Sequence, residues 1–178
     1  DTPRVTSVTA AELDAHFAWL KENKFTVLSL AEVQEHFAQN KPLPDYAAAI
    51  TFDDGWRNVY QGGLAVFKKY HYPFTIFVNP KLMREAPHQY MSWEQLKELQ
   101  QYGAIIANHS NSHWHMTWRH ADETDSDWRQ RVLSDILDAQ DEIDEQLGTQ
   151  AKHFAYPYGE YDPQLEQLLE EHGFLAFA

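Results

Sequence analysis

The sequence has no cysteine among its 178 residues. Thiolate nucleophiles, disulfides and cysteine-ligated zinc are excluded, while the redox compartment stays open. Basic residues are scarce: 14 Lys and Arg stand against 27 Asp and Glu, for a formal net charge of −13. No basic stripe is available to meet phosphates, which argues against nucleic acid as a partner. A neutral or cationic partner suits the charge better, although solubility alone accounts for it equally well. No apolar run approaches the roughly 20 residues that span a bilayer. No Gly-x-Gly-x-x-Gly fingerprint of a dinucleotide-binding turn occurs either.

What is present is ordinary for a globular domain. Hydrophobic residues make up 43%, and a chain of this length buries roughly 70% of its unfolded surface. The sequence starts at Asp1 and closes in the apolar run 174–178, which reads as the middle of a strand. Residues 1–178 are expected to be a single domain belonging to a longer chain.

Local signals punctuate the sequence. Thr9 with Glu12, Ser29 with Glu32 and Ser92 with Gln95 have capping-box spacing. They predict helices over about 10–22, from Ser29 to about 37, and over about 93–101. Further helices are expected up to about Tyr70, over about 126–147 with Gly148 as the stop, and from Asp162-Pro163 to about His172. Strands are expected at about 25–28, 46–52, 74–78, 104–107 and 152–155, and again after Gly173. The run Ala47-Ala48-Ala49-Ile50 reads as buried. Strands and helices alternate about six times, the pattern of an α/β parallel sheet or barrel.

The residues with chemical potential fall just after strands, on the face that carries the active site in βα barrels. Thr51-Phe52-Asp53-Asp54-Gly55 places two carboxylates at a strand tip. Such a pair is costly unless a cation binds or one acid stays protonated. One Asp could ligate a metal while the other remains a free base; the bland alternative is a helix cap beside a solvated acid. His109-Ser110-Asn111-Ser112-His113 follows a second apolar run. Imidazoles are the commonest metal ligands, but with ten histidines in the chain a chance pair in a surface loop is the competing reading. Phe154-Ala155-Tyr156-Pro157-Tyr158-Gly159 forms a third turn whose backbone N–H groups could face an oxyanion, or which simply packs a barrel rim. Trp56, Trp93, Trp114, Trp118, Tyr156 and Tyr161 crowd these turns, and aromatic faces suit sugar rings.

Taken in this order, the three motifs resemble those of the polysaccharide deacetylases, the NodB-like carbohydrate esterases of family 4. The resemblance covers about 45–178. It implies a deformed, incomplete (β/α) barrel of about six or seven strands with the active site at their C-terminal ends. It implies Asp53 as catalytic base, and Asp54, His109 and His113 as ligands of a divalent metal. That metal is usually zinc, although nickel, cobalt or iron suit the same donors. The Tyr158 backbone N–H would help hold the oxyanion, and Trp114, Tyr156 and Pro157 would line the substrate groove. Residues 10–37 further resemble the biofilm branch, which removes N-acetyl groups from poly-β-1,6-N-acetylglucosamine. A monomer acting in the periplasm or at the cell surface is expected. A non-catalytic sugar-binding module and an O-acetyl esterase are the alternatives. Two departures stand out. The position that often carries a base-orienting Arg in the third motif is Ala155. The family's general-acid histidine is not evident; His115 and His120 lack its context, and it is expected outside this chain.

Overall fold

A computed structural model describes residues 8–148 and 151–178. Its helices begin where side chains can replace missing backbone partners. In α1 (Ala10–Glu22) the Thr9 hydroxyl accepts from the Glu12 N–H, and Glu12 accepts from the Thr9 N–H at 2.7 Å. The same reciprocal box opens α2 (Leu30–Ala38) at Ser29/Glu32. It also opens α5 (Trp93–Gln100) at Ser92/Gln95. A fourth box, Thr124/Asp127, starts the long α6 (Asp125–Leu147), which ends on Gly148 in the left-handed region. Asp162 caps α7 (Pro163–Glu171), with Pro163 at its first turn. The helix α3 (Arg57–Tyr70) has no side-chain cap, because the acidic turn before it is turned to another use. A six-residue helix, α4 (Pro80–Glu85), was not anticipated; it starts at an Asn-Pro step directly after a strand.

Five strands form one parallel sheet in sequential order: β3 (Thr51–Phe52), β4 (Phe74–Val78), β5 (Ala104–Asn108), β6 (His153–Ala155) and β7 (Leu175–Phe177). Sequential parallel order with crossover helices curls the sheet into a half-barrel, as expected of an incomplete (β/α) barrel. Two short strands, β1 (Thr26–Val27) and β2 (Ala47–Ala48), pair in a separate parallel sheet. The expected single strand over 46–52 is therefore two. Ala47–Ala48 pairs with Thr26–Val27, while Thr51–Phe52 pairs with Thr75–Ile76. Serving two sheets in succession leaves the alanine run half-buried, with Ala49 exposed, rather than buried.

Side-chain alternation divides the core. Phe74, Ile76 and Val78 of β4 pack with Phe17, Phe67, Leu96, Leu99 and Ile106 on the helix side. Phe67 stacks on Phe74 at 4.1 Å. A second cluster joins Trp128, Val132 and Ile136 of α6 to Phe154 and the α7 leucines. Inside the curl, Phe77, Ala107 and Ala155 meet Leu30 and Phe177. The register sets Val78 beside Asn108 and Asn108 beside Phe154. Chain leaving these strands emerges along one rim, and that rim carries all three motifs. Among the described residues, no helix is long and apolar enough to cross a membrane.

Candidate metal centre and its surroundings

The first motif turns sharply at the end of β3. Asp54 and Gly55 both have φ of 67°. A Cβ on Gly55 would sit 3.0 Å from Val78 Cγ1 in an already strained backbone, so glycine is favoured there. The turn sends the Asp54 side chain inward and leaves Asp53 exposed at the rim.

The second motif is fixed from three directions. The buried Asn79 amide, following β4, donates to the carbonyls of His109 and Ser110. Asp135 of α6 accepts from the N–H groups of Asn111 and Ser112 at 3.0 and 3.3 Å. The Ser110 hydroxyl accepts from the His113 N–H at 2.9 Å. Ser110 and His113 are left-handed as well, with φ of 65° and 53°. Such backbone persists only where surroundings overdetermine it, and these bonds do so.

Asp54, His109 and His113 converge. Asp54 Oδ1 lies 3.5 Å from His109 Nε2 and 3.2 Å from His113 Nε2. The three donor atoms all lie within 4.8 Å of one another. His109 Nδ1 is 2.8 Å from the Ala155 carbonyl. A carbonyl only accepts, so Nδ1 carries the hydrogen and Nε2 presents a lone pair toward Asp54. Burial holds the His109 pKa below its ordinary value, against the opposing pull of the Ala155 carbonyl and of Asp53 and Asp54, which favours the neutral ring. Burial works against the Asp54 anion, but His113, the Trp56 N–H and His109 together bring its pKa below the ordinary value. Asp54 Oδ2 accepts from Trp56 Nε1 at 2.9 Å, while Oδ1 is buried with no hydrogen-bond partner among the described residues.

These facts test the site for a cation, and the residues fit one. A buried, unpartnered anionic oxygen facing a neutral imidazole's lone pair is repulsive unless a positive charge lies between them. Ligands about 2.0–2.1 Å from a tetrahedral zinc lie about 3.4 Å apart, close to the two spacings observed here. The committed Nδ1–H is the usual second bond of a metal-ligating histidine.

The remaining candidates distribute as follows. The Asp53 side chain makes no hydrogen bond or ion pair among the described residues, yet its charge is felt at His109. Tyr158 occupies a short helical turn with φ of 60°. The two bonds of that turn, Gly159 N–H to Tyr156 O and Glu160 N–H to Pro157 O, leave the Tyr158 N–H out. Its hydroxyl donates to the His113 carbonyl at 3.2 Å. Tyr156 and Pro157 are buried, with Tyr156 in the α6–α7 cluster, so their side chains do not line open space. Ala155 contributes a carbonyl to His109, and its methyl group packs inside the curl.

Open space lies next to His113. A cavity of about 340 Å³ is lined by His113, Trp114, His115, Trp118 and Tyr158 among others. The His115 ring is sandwiched between Trp118 at 4.0 Å and Tyr158 at 4.1 Å, and its Nδ1 meets Glu160 Oε2 at 2.9 Å. His120 also lines the cavity. Trp114, Trp118 and Tyr158 give this cavity its aromatic walls, and Tyr156 and Pro157 are not among its lining residues.

Sequence reading missed Asn79, Asp135 and the Trp56–Asp54 bond. The Asn-Pro step after β4 was a signal for Asn79; a single Asp in mid-helix gives none for Asp135.

A sequence model of the family described as "Polysaccharide deacetylase" matches residues 40–177. The chain is 29% identical over 163 residues to YxkH of Bacillus subtilis (strain 168), covering 92% of this chain and 55% of that protein. It is 23% identical to the poly-beta-1,6-N-acetyl-D-glucosamine N-deacetylase of Escherichia coli (strain K12), covering 98% of this chain and 31% of that one. The chain thus spans about half or less of these two relatives. Among solved structures, IcaB from Ammonifex degensii aligns with a TM-score of 0.84 at 25% identity, over 99% of this chain and 78% of that one. With the motifs, the rim and the sequence match in agreement, the chain belongs to the polysaccharide deacetylase family.

Proposed function

We propose that this chain is the catalytic domain of a metal-dependent hydrolase. It removes N-acetyl groups from a polysaccharide of N-acetylglucosamine and releases acetate. The observation that carries the reading is the buried, unpartnered Asp54 Oδ1 facing the Nε2 atoms of His109 and His113. The E. coli relative's name favours poly-β-1,6-N-acetylglucosamine as the substrate. Such a polymer places the site of action in the periplasm or at the cell surface. The domain is proposed to act as a monomer within a longer protein, since its relatives extend well beyond the matched region.

Asp54, His109 and His113 would hold one divalent cation, zinc by donor chemistry. That cation supplies Lewis acidity, polarising the acetamide carbonyl and acidifying a water toward pKa ~7. Asp53, unpaired and solvent-facing, takes the proton of the attacking water. The Tyr158 N–H donates to the oxygen that becomes negative as the carbonyl carbon turns tetrahedral. Trp114, Trp118 and Tyr158 offer apolar faces to the pyranose rings beside the reacting residue. The departing sugar amine needs a proton, and a general acid beyond these residues completes the reaction.

Acetate release from N-acetylglucosamine oligomers, with zinc and after chelation, tests this. Zinc-dependent release is expected. Release from acetylxylan alone would make the protein an O-acetyl esterase. Oligomer binding without release in the full-length protein would make it a sugar-binding module.

A further inference from the structure

We propose that Trp56 is a positioning residue for the metal-binding carboxylate: braced on Tyr90, its indole N–H holds Asp54 Oδ2 so that Oδ1 alone faces the two imidazoles. This rests on the metal reading above and adds a residue that the three motifs do not contain.

The brace is built from both sides. Trp56 Nε1 donates to Asp54 Oδ2 at 2.9 Å across a turn of only two residues. The indole stacks on the Tyr90 ring at 4.6 Å with the planes 20° apart. Trp56 and Tyr90 also form an isolated antiparallel bridge. The Met91 N–H donates to the Gly55 carbonyl at 2.9 Å, and the Arg57 N–H to the Gln89 carbonyl at 2.8 Å. The Arg57 guanidinium closes the same segment, donating to the carbonyls of Pro87 at 2.6 Å and Tyr90 at 3.3 Å. Tyr90 is buried. The indole is therefore anchored to a segment more than 30 residues from the acid it orients.

The chemical consequence concerns denticity. A free carboxylate can rotate and offer both oxygens to a cation, or swing to solvent. With Oδ2 committed to the indole N–H, Asp54 offers one oxygen, and a coordination position stays open for water and substrate. The same bond explains why Oδ1 is the oxygen left without a partner.

Trp56→Phe keeps the ring and its stack on Tyr90 but removes the N–H. Zinc affinity of the metal-free protein is read by competition with a chromophoric chelator, beside its melting temperature. The expected result is a Kd for zinc raised about tenfold or more, with the metal-free melting temperature unchanged. Tyr90→Leu, which keeps the N–H and loses the stack, should raise the Kd by less. Equal zinc affinity in wild type and Trp56→Phe would overturn the assignment. So would a loss of affinity matched by a loss of metal-free stability, which would make Trp56 a packing residue only. Failure of wild type itself to bind zinc would instead remove the metal reading, and the inference with it.

Discussion

His109 Nδ1 lies 2.8 Å from the carbonyl oxygen of Ala155. This one bond joins the second motif to the third across adjacent strands β5 and β6 and fixes which imidazole nitrogen faces Asp54. Ala155 stands where the resemblance leads one to look for an arginine. Its methyl group is buried with Leu30, Phe77 and Ala107, so a charged side chain pointing the same way would enter an apolar cluster. The position acts through its backbone.

If one cation relieves the unpartnered Asp54 oxygen, zinc should stabilise the fold. A ligand at 100 times its Kd adds about 2.7 kcal/mol. Thermal scans with zinc and with chelator should separate clearly for wild type. Asp54→Asn should abolish the separation, because the neutral amide neither attracts the cation nor repels the His109 lone pair.

Asp53 is at the rim and outside the Asp54, His109 and His113 cluster. Asp53→Asn should lower acetate release by about 10²–10⁴-fold, while zinc affinity and melting temperature stay at wild-type values. Near-normal turnover in this variant would remove Asp53 as the base.

Trp118 is exposed, and one face covers His115. An aromatic contact is worth about 0.5–1.5 kcal/mol beyond its buried area. Trp118→Ala should raise KM for N-acetylglucosamine oligomers about threefold to tenfold with little change in kcat. An unchanged KM would place the polysaccharide elsewhere.

The loop bearing Trp114, His115 and Trp118 is tied down by Glu123 and Arg131. Arg131 Nε and Nη2 reach the two Glu123 carboxylate oxygens at 2.6 and 2.9 Å, and Nη2 also donates to the Trp118 carbonyl at 3.0 Å. The Arg131 hydrogen bonds pull the Glu123 pKa down from 4.5 to about 2. A carboxyl with a depressed folded-state pKa contributes stability that is fully present above its unfolded value. That contribution is lost as pH falls from about 4.5 toward 2. Urea midpoints should therefore drop more steeply over this window in wild type than in Glu123→Gln. Parallel pH profiles for the two proteins would show that the pair does not contribute.

Much of this architecture was legible in the residues. The boxes at Thr9, Ser29 and Ser92 marked three helix starts because a hydroxyl and a Glu or Gln three positions on can satisfy each other's backbone. The convergence of Asp54, His109 and His113 could be sought in the sequence because carboxylate and imidazole side chains that follow strand-like runs of one parallel sheet are carried to the same rim. The split of 46–52 into β2 and β3 was not, since nothing in an alanine run says which sheet each dipeptide joins. Nor was the second bond of His109, because a backbone carbonyl has no sequence signature. The burial of Tyr156 and Pro157 was hidden for a related reason: a turn's sequence does not say which of its rings faces in, and here the left-handed Tyr158 is the exposed one.

Among the described residues, eight non-glycine residues adopt left-handed backbone, and four of them, Asp54, Ser110, His113 and Tyr158, surround the rim site. Each costs about 1–2 kcal/mol, and at these four the side chain is needed where it stands. Attempts to raise thermal tolerance by substituting glycine should therefore start far from the rim. Lys24, just past the end of α1, is one such position, where relief of the backbone comes without touching the proposed chemistry.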